Sequence, residues 1–319
     1  MSAPPTRSTD DLASVLNKLR DNVSTVFLGK PEVTRLALVA LLAEGHLLLE
    51  DVPGVGKTLL AKALALSLGC SFHRIQATPD LLPGDLIGTN IFNQKDGTFT
   101  FHPGPLMSQV VLADEINRAT PRTQSALLEA MSERQVTVDR ETYKLGPPFL
   151  VLATQNPYEY EGTYPLPESQ LDRFLLRLKI GYPERAIERD ILLQHRVGEP
   201  VESLTAVLTP ADVVALQQTT RAVTVSEPVT EYLLDIVAAT REHPDVKLGS
   251  STRGALAFYR ASQALAKVGG RDYVRPDDVK ELAVPVLAHR IMTKAWDQGG
   301  RDDATPIIKD ILAKTKVRV

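Results

Sequence analysis

The sequence predicts an α/β fold, in which a parallel sheet is covered by helices on both faces and is followed by an all-helical domain. Three short apolar runs support the sheet, and each ends in polar residues: Leu47-Leu48-Leu49, Val110-Val111-Leu112 and Phe149-Leu150-Val151-Leu152. Strands that are apolar on both faces and are separated by helical segments are typical of parallel sheets. From Pro183 onward the strand pattern largely ends, and helical spacing continues.

Helical periodicity surrounds the first strand and fills the second half of the chain. The predicted helices cover residues 10–27, 32–44, 58–68, 184–196, 210–222, 228–243, 252–268 and 276–292. We therefore expect an N-terminal tail and helix at 1–22, an α/β core at 23–182 and a helical domain at 183–319.

Two segments of the core depart from the helical rhythm and predict β-hairpin insertions. In the first, residues 84–105, alternation at 98–101 follows the turn pair Asp96-Gly97. In the second, residues 134–145, apolar residues alternate on either side of Asp139-Arg140. The second hairpin is expected to lead into the strand at Phe149.

Composition excludes several functional classes. The formal charge of −3 provides no bulk attraction to a phosphate backbone, so a nucleic-acid partner has no support. The longest apolar stretch, residues 36–43, is far shorter than the roughly 18 residues of a membrane span. A single cysteine, Cys70, allows neither an intramolecular disulfide nor a cysteine metal cage. Residues 1–11 lack the apolar run of a secretory signal, and we expect a cytoplasmic protein with a short disordered tail.

The strongest motif is Gly54-Val55-Gly56-Lys57-Thr58, between a buried strand and a helix. Amides at a helix N-terminus hold phosphates, a lysine reaches the outer phosphates, and a hydroxyl binds Mg²⁺. The pattern GxxxxGK[ST] would place glycine at position 51, where this chain has Asp51; a tight turn with a surface lysine is the alternative interpretation. We assign contact with ATP to Pro53, Gly54, Val55, Gly56, Lys57, Thr58 and Leu59.

A second motif ends the strand at Val110 with the adjacent carboxylates Asp114 and Glu115. Parallel strands present ligand sites at their carboxyl ends, so this pair is expected beside the phosphate loop. Asp114, with Thr58, would hold Mg²⁺, and Glu115 would polarise the attacking water. A strand ending in Asp-Glu is otherwise an ordinary solvated strand end.

Three further residues are candidates for catalysis. Asn156 ends the strand at Phe149 and could position the water, although an asparagine before Pro157 also suits a simple turn. Arg173 and Arg253 are the other two, and they are supported mainly by resemblance.

Together, Gly54 to Thr58, the run Asp114-Glu115-Ile116-Asn117-Arg118-Ala119, Ala153 to Pro157 and Leu171 to Leu175 resemble the MoxR family of AAA+ ATPases, which is related to the magnesium-chelatase ATPase subunit. The resemblance implies a P-loop NTPase core with sheet order 5-1-4-3-2, a helical lid and a ring-shaped homo-oligomer, usually hexameric. It implies that Asn156 is sensor 1, Arg173 an arginine finger acting on the neighbour's nucleotide, and Arg253 the sensor 2 arginine. It also implies remodelling or metal-cofactor maturation of client proteins, with a separate von Willebrand factor A domain partner.

The residues alone do not separate a remodelling ATPase from a nucleotide-binding scaffold that hydrolyses ATP slowly, and two other functions remain open. Hairpin insertions also occur in DNA motors, which the acidic balance disfavours. A small-molecule kinase also uses a phosphate loop, whereas Glu115 and the lid with Arg253 favour hydrolysis.

Arg118 and Arg122 are expected one helical turn apart, where they could face a neighbouring subunit.

Overall fold

The computed structural model describes residues 9–95, 97–157, 162–196, 198–295 and 303–317, with side chains described from residue 14. The predicted tail at residues 1–8 and Asp96 of the predicted turn lie outside the described residues. No helix in the described ranges combines the length and apolar character needed to cross a bilayer.

The strands and helices follow one another in the order expected for a layered α/β core and a helical lid. The strands are β1 (Leu47–Glu50), β2 (Phe72–Gln76), β3 (Gly88–Asn93), β4 (Thr98–Pro103), β5 (Val110–Asp114), β6 (Gln135–Val138), β7 (Glu141–Lys144), β8 (Leu150–Gln155), β9 (Leu176–Leu178), β10 (Val246–Leu248) and β11 (Met292–Thr293). The α-helices are α1 (Thr9–Ser24), α2 (Pro31–Leu42), α3 (Lys57–Ser67), α4 (Pro83–Ile87), α5 (Pro121–Glu133), α6 (Glu168–Leu171), α7 (Arg185–Gln194), α8 (Pro210–Arg221), α9 (Glu227–Glu242), α10 (Thr252–Val268), α11 (Pro276–Leu287) and α12 (Thr305–Lys314). Short 3₁₀ helices cover Pro105–Met107, Ile116–Arg118 and Pro200–Ser203.

Within the described residues, five strands form one parallel sheet in the order β2-β5-β8-β1-β9. Counted along the chain among these strands alone, this is the order 5-1-4-3-2, so the predicted topology is confirmed. Polar β2 lies at one edge, whereas β1, β5 and β8 lie in the interior of the sheet. The ends of β1, β5 and β8 therefore meet at one carboxyl edge.

The central strands of the sheet are buried on both faces. Alternate residues, among them Leu47, Leu49 and Leu112, join a core cluster with α1, α2, α3 and the lid helices. Their neighbours, including Leu48 and Val111, face a second cluster that contains residues of α5 and the hairpin at β6 and β7. This two-sided burial explains why the central strands are continuous apolar runs.

Both predicted hairpins are present and contact each other. β3 pairs with β4, and β6 pairs with β7. Phe101 of the first hairpin stacks on Tyr143 of the second with ring centroids 4.0 Å apart, and the Asn90 amide donates to Asp139 Oδ2 at 2.6 Å. The two hairpins therefore form one joined unit on the α5 side of the sheet.

The lid packs directly on the core. Gln217 of α8 donates from Nε2 to the Leu41 carbonyl of α2 at 2.7 Å, and residues of α2, α8, α10 and α11 share one apolar cluster. The lid also contains α12 and the short antiparallel pair β10 and β11, which sequence periodicity did not indicate. The domain boundaries at residues 22 and 182 stay predictions.

A buried histidine joins three elements of the core. His46 Nδ1 accepts the Val151 N–H at 3.0 Å, and Nε2 lies 3.0 Å from the Met131 carbonyl, so the neutral ring with hydrogen on Nε2 satisfies both. Burial lowers the pKa of His46 to about 4, against the opposing effect of the bond to Met131. Protonation at Nδ1 would place its N–H against the Val151 N–H and break this hydrogen bond.

We expect the free energy of unfolding to fall as the pH drops from about 6.5 towards 4, because the unfolded chain binds a proton at His46 that the folded chain does not. The upper bound on this contribution is roughly 3 kcal/mol. Urea unfolding across this range should show a shallower fall for His46→Gln, whose amide can replace both hydrogen bonds without titrating. Equal slopes in the two chains would contradict the prediction.

Candidate nucleotide-binding site

The loop between β1 and α3 lies at the carboxyl edge of the sheet. Gly54 and Gly56 have φ of +85° and +94°, a conformation that side-chain-bearing residues rarely adopt. A Cβ on Gly56 would also lie 3.1 Å from the ring of Phe27. α3 begins at Lys57, so the N–H groups of its first turn face the loop.

Lys57 is held within this loop. The side chain is buried, and Nζ donates to the Asp51 carbonyl at 2.8 Å. An ammonium at a helix N-terminus, surrounded by backbone amides, makes a concentrated positive site. The loop can therefore receive an anion such as a phosphate group.

Thr154 of β8 positions the two carboxylates at the end of β5. Its buried hydroxyl donates to Asp114 Oδ1 at 2.6 Å and accepts the Glu115 N–H at 2.9 Å. Glu115 has a φ of +55°, unusual for a residue with a side chain. The hydroxyl thus fixes the backbone of one acid and the side chain of the other.

Polar side chains of β2 and of the 3₁₀ helix that follows β5 contact the opposite sides of the carboxylates. Arg74 forms an ion pair with Asp114 Oδ2 at 2.7 Å. Gln76 donates to Glu115 Oε2 at 2.9 Å, and Arg118 lies 3.2 Å from the same oxygen. The acid pair is thus oriented by neighbours in β2, β8 and its own chain segment.

These groups open into one cavity of about 670 Å³, within the range of small-molecule sites. Its apolar lining residues are Val26, Phe27, Leu28, Pro183, Ile191 and Val201. It is also lined by the predicted nucleotide contacts Pro53, Gly54, Val55, Gly56, Lys57, Thr58 and Leu59, together with Lys62, Arg74, Gln76, Asp114, Glu115 and Asn156. The apolar residues offer a base compartment, which together with the positive loop for phosphates fits ATP.

Comparison with known proteins matches this arrangement. A family model for ATPases associated with various cellular activities matches residues 46–176, and one for the AAA lid domain matches residues 238–311. Chaperone MoxR1 of Mycobacterium tuberculosis is 42% identical over 91% of this chain and 79% of its own length. The chain belongs to the MoxR family of AAA+ ATPases.

Two further relatives cover almost the whole chain. YeaC of Bacillus subtilis is 49% identical over 97% of both chains. The crystal structure of a candidate ATPase from Cytophaga hutchinsonii has a TM-score of 0.90 and 39% identity, and it covers 98% of this chain and 97% of its own. This MoxR-family protein is an ATPase.

Not every residue that the resemblance assigned lies in the cavity. Arg173 and Arg253 do not line it. Arg173 turns towards α5 of its own chain and donates from Nη1 to the Leu128 carbonyl at 2.6 Å and the Ser132 hydroxyl at 3.1 Å. Arg253 is exposed at the start of α10. Their roles as arginine finger and sensor 2 stay predictions.

A buried ion pair fastens the segment that carries Arg173 to the lid. Arg290 Nε lies 2.8 Å from Asp172 Oδ1, and Nη2 donates to the Phe174 carbonyl at 2.5 Å. Ser251, the N-cap of α10, donates to the other oxygen of Asp172 at 3.3 Å. The candidate finger and the lid helix bearing Arg253 are thus linked through Asp172.

The expected spacing of Arg118 and Arg122 is wrong. Arg118 ends the 3₁₀ helix Ile116–Arg118, whereas Arg122 belongs to α5. Thr120 caps α5, and Pro121, which has no N–H to donate, begins the new helix. The two arginines therefore do not share a helix face, and Arg118 is engaged with Glu115.

Sequence reasoning missed the apolar lining of the cavity and the residues that support the carboxylates. Phe27 and Ile191 lie far apart along the chain and carry no motif. Arg74 and Gln76 lie on the polar edge strand β2, which has no apolar run to reveal it. Thr154 could have been found, because it lies in the run Ala153 to Pro157 that also contains Asn156.

We expect Thr154→Val, which keeps the side-chain shape but removes the hydroxyl, to lower the ATP hydrolysis rate about 10- to 100-fold, as is usual for groups that orient metal ligands. Nucleotide affinity should change much less, since the phosphate loop is untouched. Steady-state hydrolysis and nucleotide titration check both expectations. Thr154→Ser is the matched control and should retain most activity; a loss as large as that of valine would show that the hydroxyl is not responsible.

Proposed function

We propose that the protein couples Mg²⁺-dependent ATP hydrolysis to remodelling or metal-cofactor maturation of client proteins, as a homo-oligomeric, hexameric ring in the cytoplasm. A separate von Willebrand factor A domain protein is the proposed partner. The observation that carries the proposal is the convergence of the phosphate loop, Asp114, Glu115 and Asn156 on one cavity. The M. tuberculosis relative is named a chaperone, which supports the remodelling role.

The proposed division of roles follows from the chemistry of each group. Lys57 and the loop amides bind phosphates, and the Thr58 hydroxyl and Asp114 carboxylate would hold Mg²⁺, an ion usually bound through one or two carboxylates and substrate phosphates. Bound there, the ion would supply positive charge that neutralises the phosphates during transfer. Glu115 orients the attacking water and accepts its proton, and the Asn156 amide positions that water.

A ring accounts for the location of Arg173. Its guanidinium lies outside the cavity of its own chain, where it cannot touch the phosphates bound there. An arginine finger supplied by a neighbour contributes on the order of 10³ to 10⁵ in rate in other phosphoryl-transfer systems. We therefore place Arg173 at the neighbour's site and Arg253 of the lid over the nucleotide.

The joined hairpins are the proposed contact with the client. Ile91, Phe92 and Phe99 are 51%, 50% and 71% exposed, and the two phenylalanine rings are 5.1 Å apart. Exposed apolar patches are typical of protein interaction sites. The chain runs from Glu115 through α5 directly into the second hairpin, which gives a continuous route from the site to this patch.

Two substitutions separate binding from hydrolysis. We expect Lys57→Ala to abolish nucleotide binding, because the phosphates lose their ammonium partner, and Glu115→Gln to retain binding but stop turnover. Nucleotide titration and release of inorganic phosphate to water, with no added acceptor, measure the two properties. Equal loss of binding in both variants would contradict the division of roles, and phosphate transfer only to an added small molecule would identify a kinase.

Mixing variants tests whether Arg173 acts across an interface. Neither Arg173→Ala nor Lys57→Ala chains should hydrolyse ATP alone, but a mixture should recover part of the activity, because a Lys57→Ala subunit can supply its arginine to an intact loop. Specific activity of the native chain should rise with protein concentration until the ring is complete. No recovery in the mixture would remove the trans role, and strong stimulation by single- or double-stranded DNA would favour a DNA motor.

A further inference from the structure

Asp51 stands where the phosphate-loop pattern has glycine, and its side chain makes a definite set of contacts. Oδ2 accepts the N–H groups of Ile180 at 2.7 Å and Gly181 at 2.6 Å. Oδ1 accepts the N–H of Val52 at 2.9 Å. A glycine at this position could form none of these bonds.

Two of these bonds join distant parts of the chain. Ile180 and Gly181 lie 129 and 130 residues from Asp51, so the carboxylate does more than cap a local turn. Hydrogen bonds from N–H groups to an ionised carboxylate are shorter and stronger than those between neutral groups. Asp51 therefore fastens the first residue of the loop to the segment that follows β9.

The location of this contact follows from the sheet. β1 and β9 are paired up to Leu49 and Leu178, and beyond that point β1 continues into the phosphate loop while β9 continues towards α7. The Asp51 carboxylate bridges the segments that follow β1 and β9, just beyond the last paired residues of these two strands. It lies between the phosphate loop and the segment that leads to α7.

The phosphate loop and the segment after β9 both line the nucleotide cavity. Gly181 and Pro183 form part of its wall, and Ile191 of α7 adds an apolar side chain. Lys30, which also lines the cavity, donates from Nζ to the Tyr182 carbonyl at 2.9 Å. Residues 180–182 are thus held by Asp51 and by Lys30.

The backbone of Asp51 also contacts the lysine of the phosphate loop. Its carbonyl accepts the hydrogen bond from Lys57 Nζ at 2.8 Å. One residue therefore contacts the phosphate-binding lysine through its main chain and the wall of the base compartment through its side chain. Any shift of the loop when phosphates draw Lys57 away is passed to residues 180 and 181.

We propose that Asp51 is a positioning residue that couples the phosphate loop to residues 180–183, and through them to the base compartment and α7. The coupling rests on the proposed binding of ATP in this cavity. Phosphate binding at Lys57 and closure of the base compartment then favour each other. In this proposal the Asp51 side chain contributes to nucleotide binding, which a glycine at this position could not do.

The test compares the native chain with Asp51→Asn, which is nearly isosteric but loses one carboxylate acceptor, and Asp51→Gly, which restores the glycine of the pattern. Asp85→Asn is the matched control, because the Asp85 carboxylate caps the nearby Leu82 N–H at 2.8 Å and does not line the cavity. Hydrogen exchange at the amides of Ile180 and Gly181 is measured with and without ADP. ADP affinity is measured by titration.

We expect ADP to slow exchange at these two amides in the native chain and in Asp85→Asn, and to have little effect in the two Asp51 variants. ADP affinity should weaken roughly 10-fold in both Asp51 variants, within the range usual for coupling between sites. Unchanged affinity and an undiminished ADP effect on exchange in Asp51→Asn would overturn the coupling while leaving the proposed function intact. Failure of the native chain to bind ADP would overturn both.

Discussion

Burial of the parallel sheet on both faces decides where polar chemistry can occur in this chain. β1, β5 and β8 carry fully buried apolar residues on alternate sides, and each such side chain stabilises the fold by about 1.5–3 kcal/mol. A polar side chain without a partner is costly inside these layers, and the first polar residues of the three strands come where each strand leaves the sheet. Because the strands are parallel, those exits coincide at one edge. The position of the site therefore follows from the burial of the central strands on both faces.

The side chains at that edge satisfy one another through hydrogen bonds. Thr154 contacts both members of the acid pair, and Arg74 and Gln76 approach from the neighbouring strand. Acidic groups crowded at one strand end repel each other unless cations and donors separate them. The polar character of the edge strand β2, which is costly in a central strand, supplies these partners.

The parts that could be predicted from the sequence are those with a local signal. The buried strands, the hairpins and the phosphate loop each have a pattern within a few residues, and the structure contains them; β2 and β9 have no such pattern, because one is polar and the other has three residues. The apolar lining of the cavity could not be predicted for a different reason. Phe27 and Ile191 are far apart in sequence and line the same cavity only in the folded chain. Glu115 was found as an acid at a strand end, but its left-handed backbone and its contact with Gln76 depend on tertiary packing.

The attachment of the Arg173 segment to the lid combines an ion pair with the apolar packing of Leu175. Burial lowers the pKa of Arg290 to about 10, and the Asp172 carboxylate opposes that shift. The guanidinium therefore remains protonated at neutral pH, and the ion pair is intact. Removing one member of a buried pair leaves the other charge without compensation, which is far more destabilising than loss of an exposed pair. Arg290 also donates to the Asp172 and Phe174 carbonyls, so it fixes the backbone on both sides of Arg173. The Arg173 segment is therefore attached to the lid through Arg290 and to the core through the hydrogen bonds that Arg173 donates to α5.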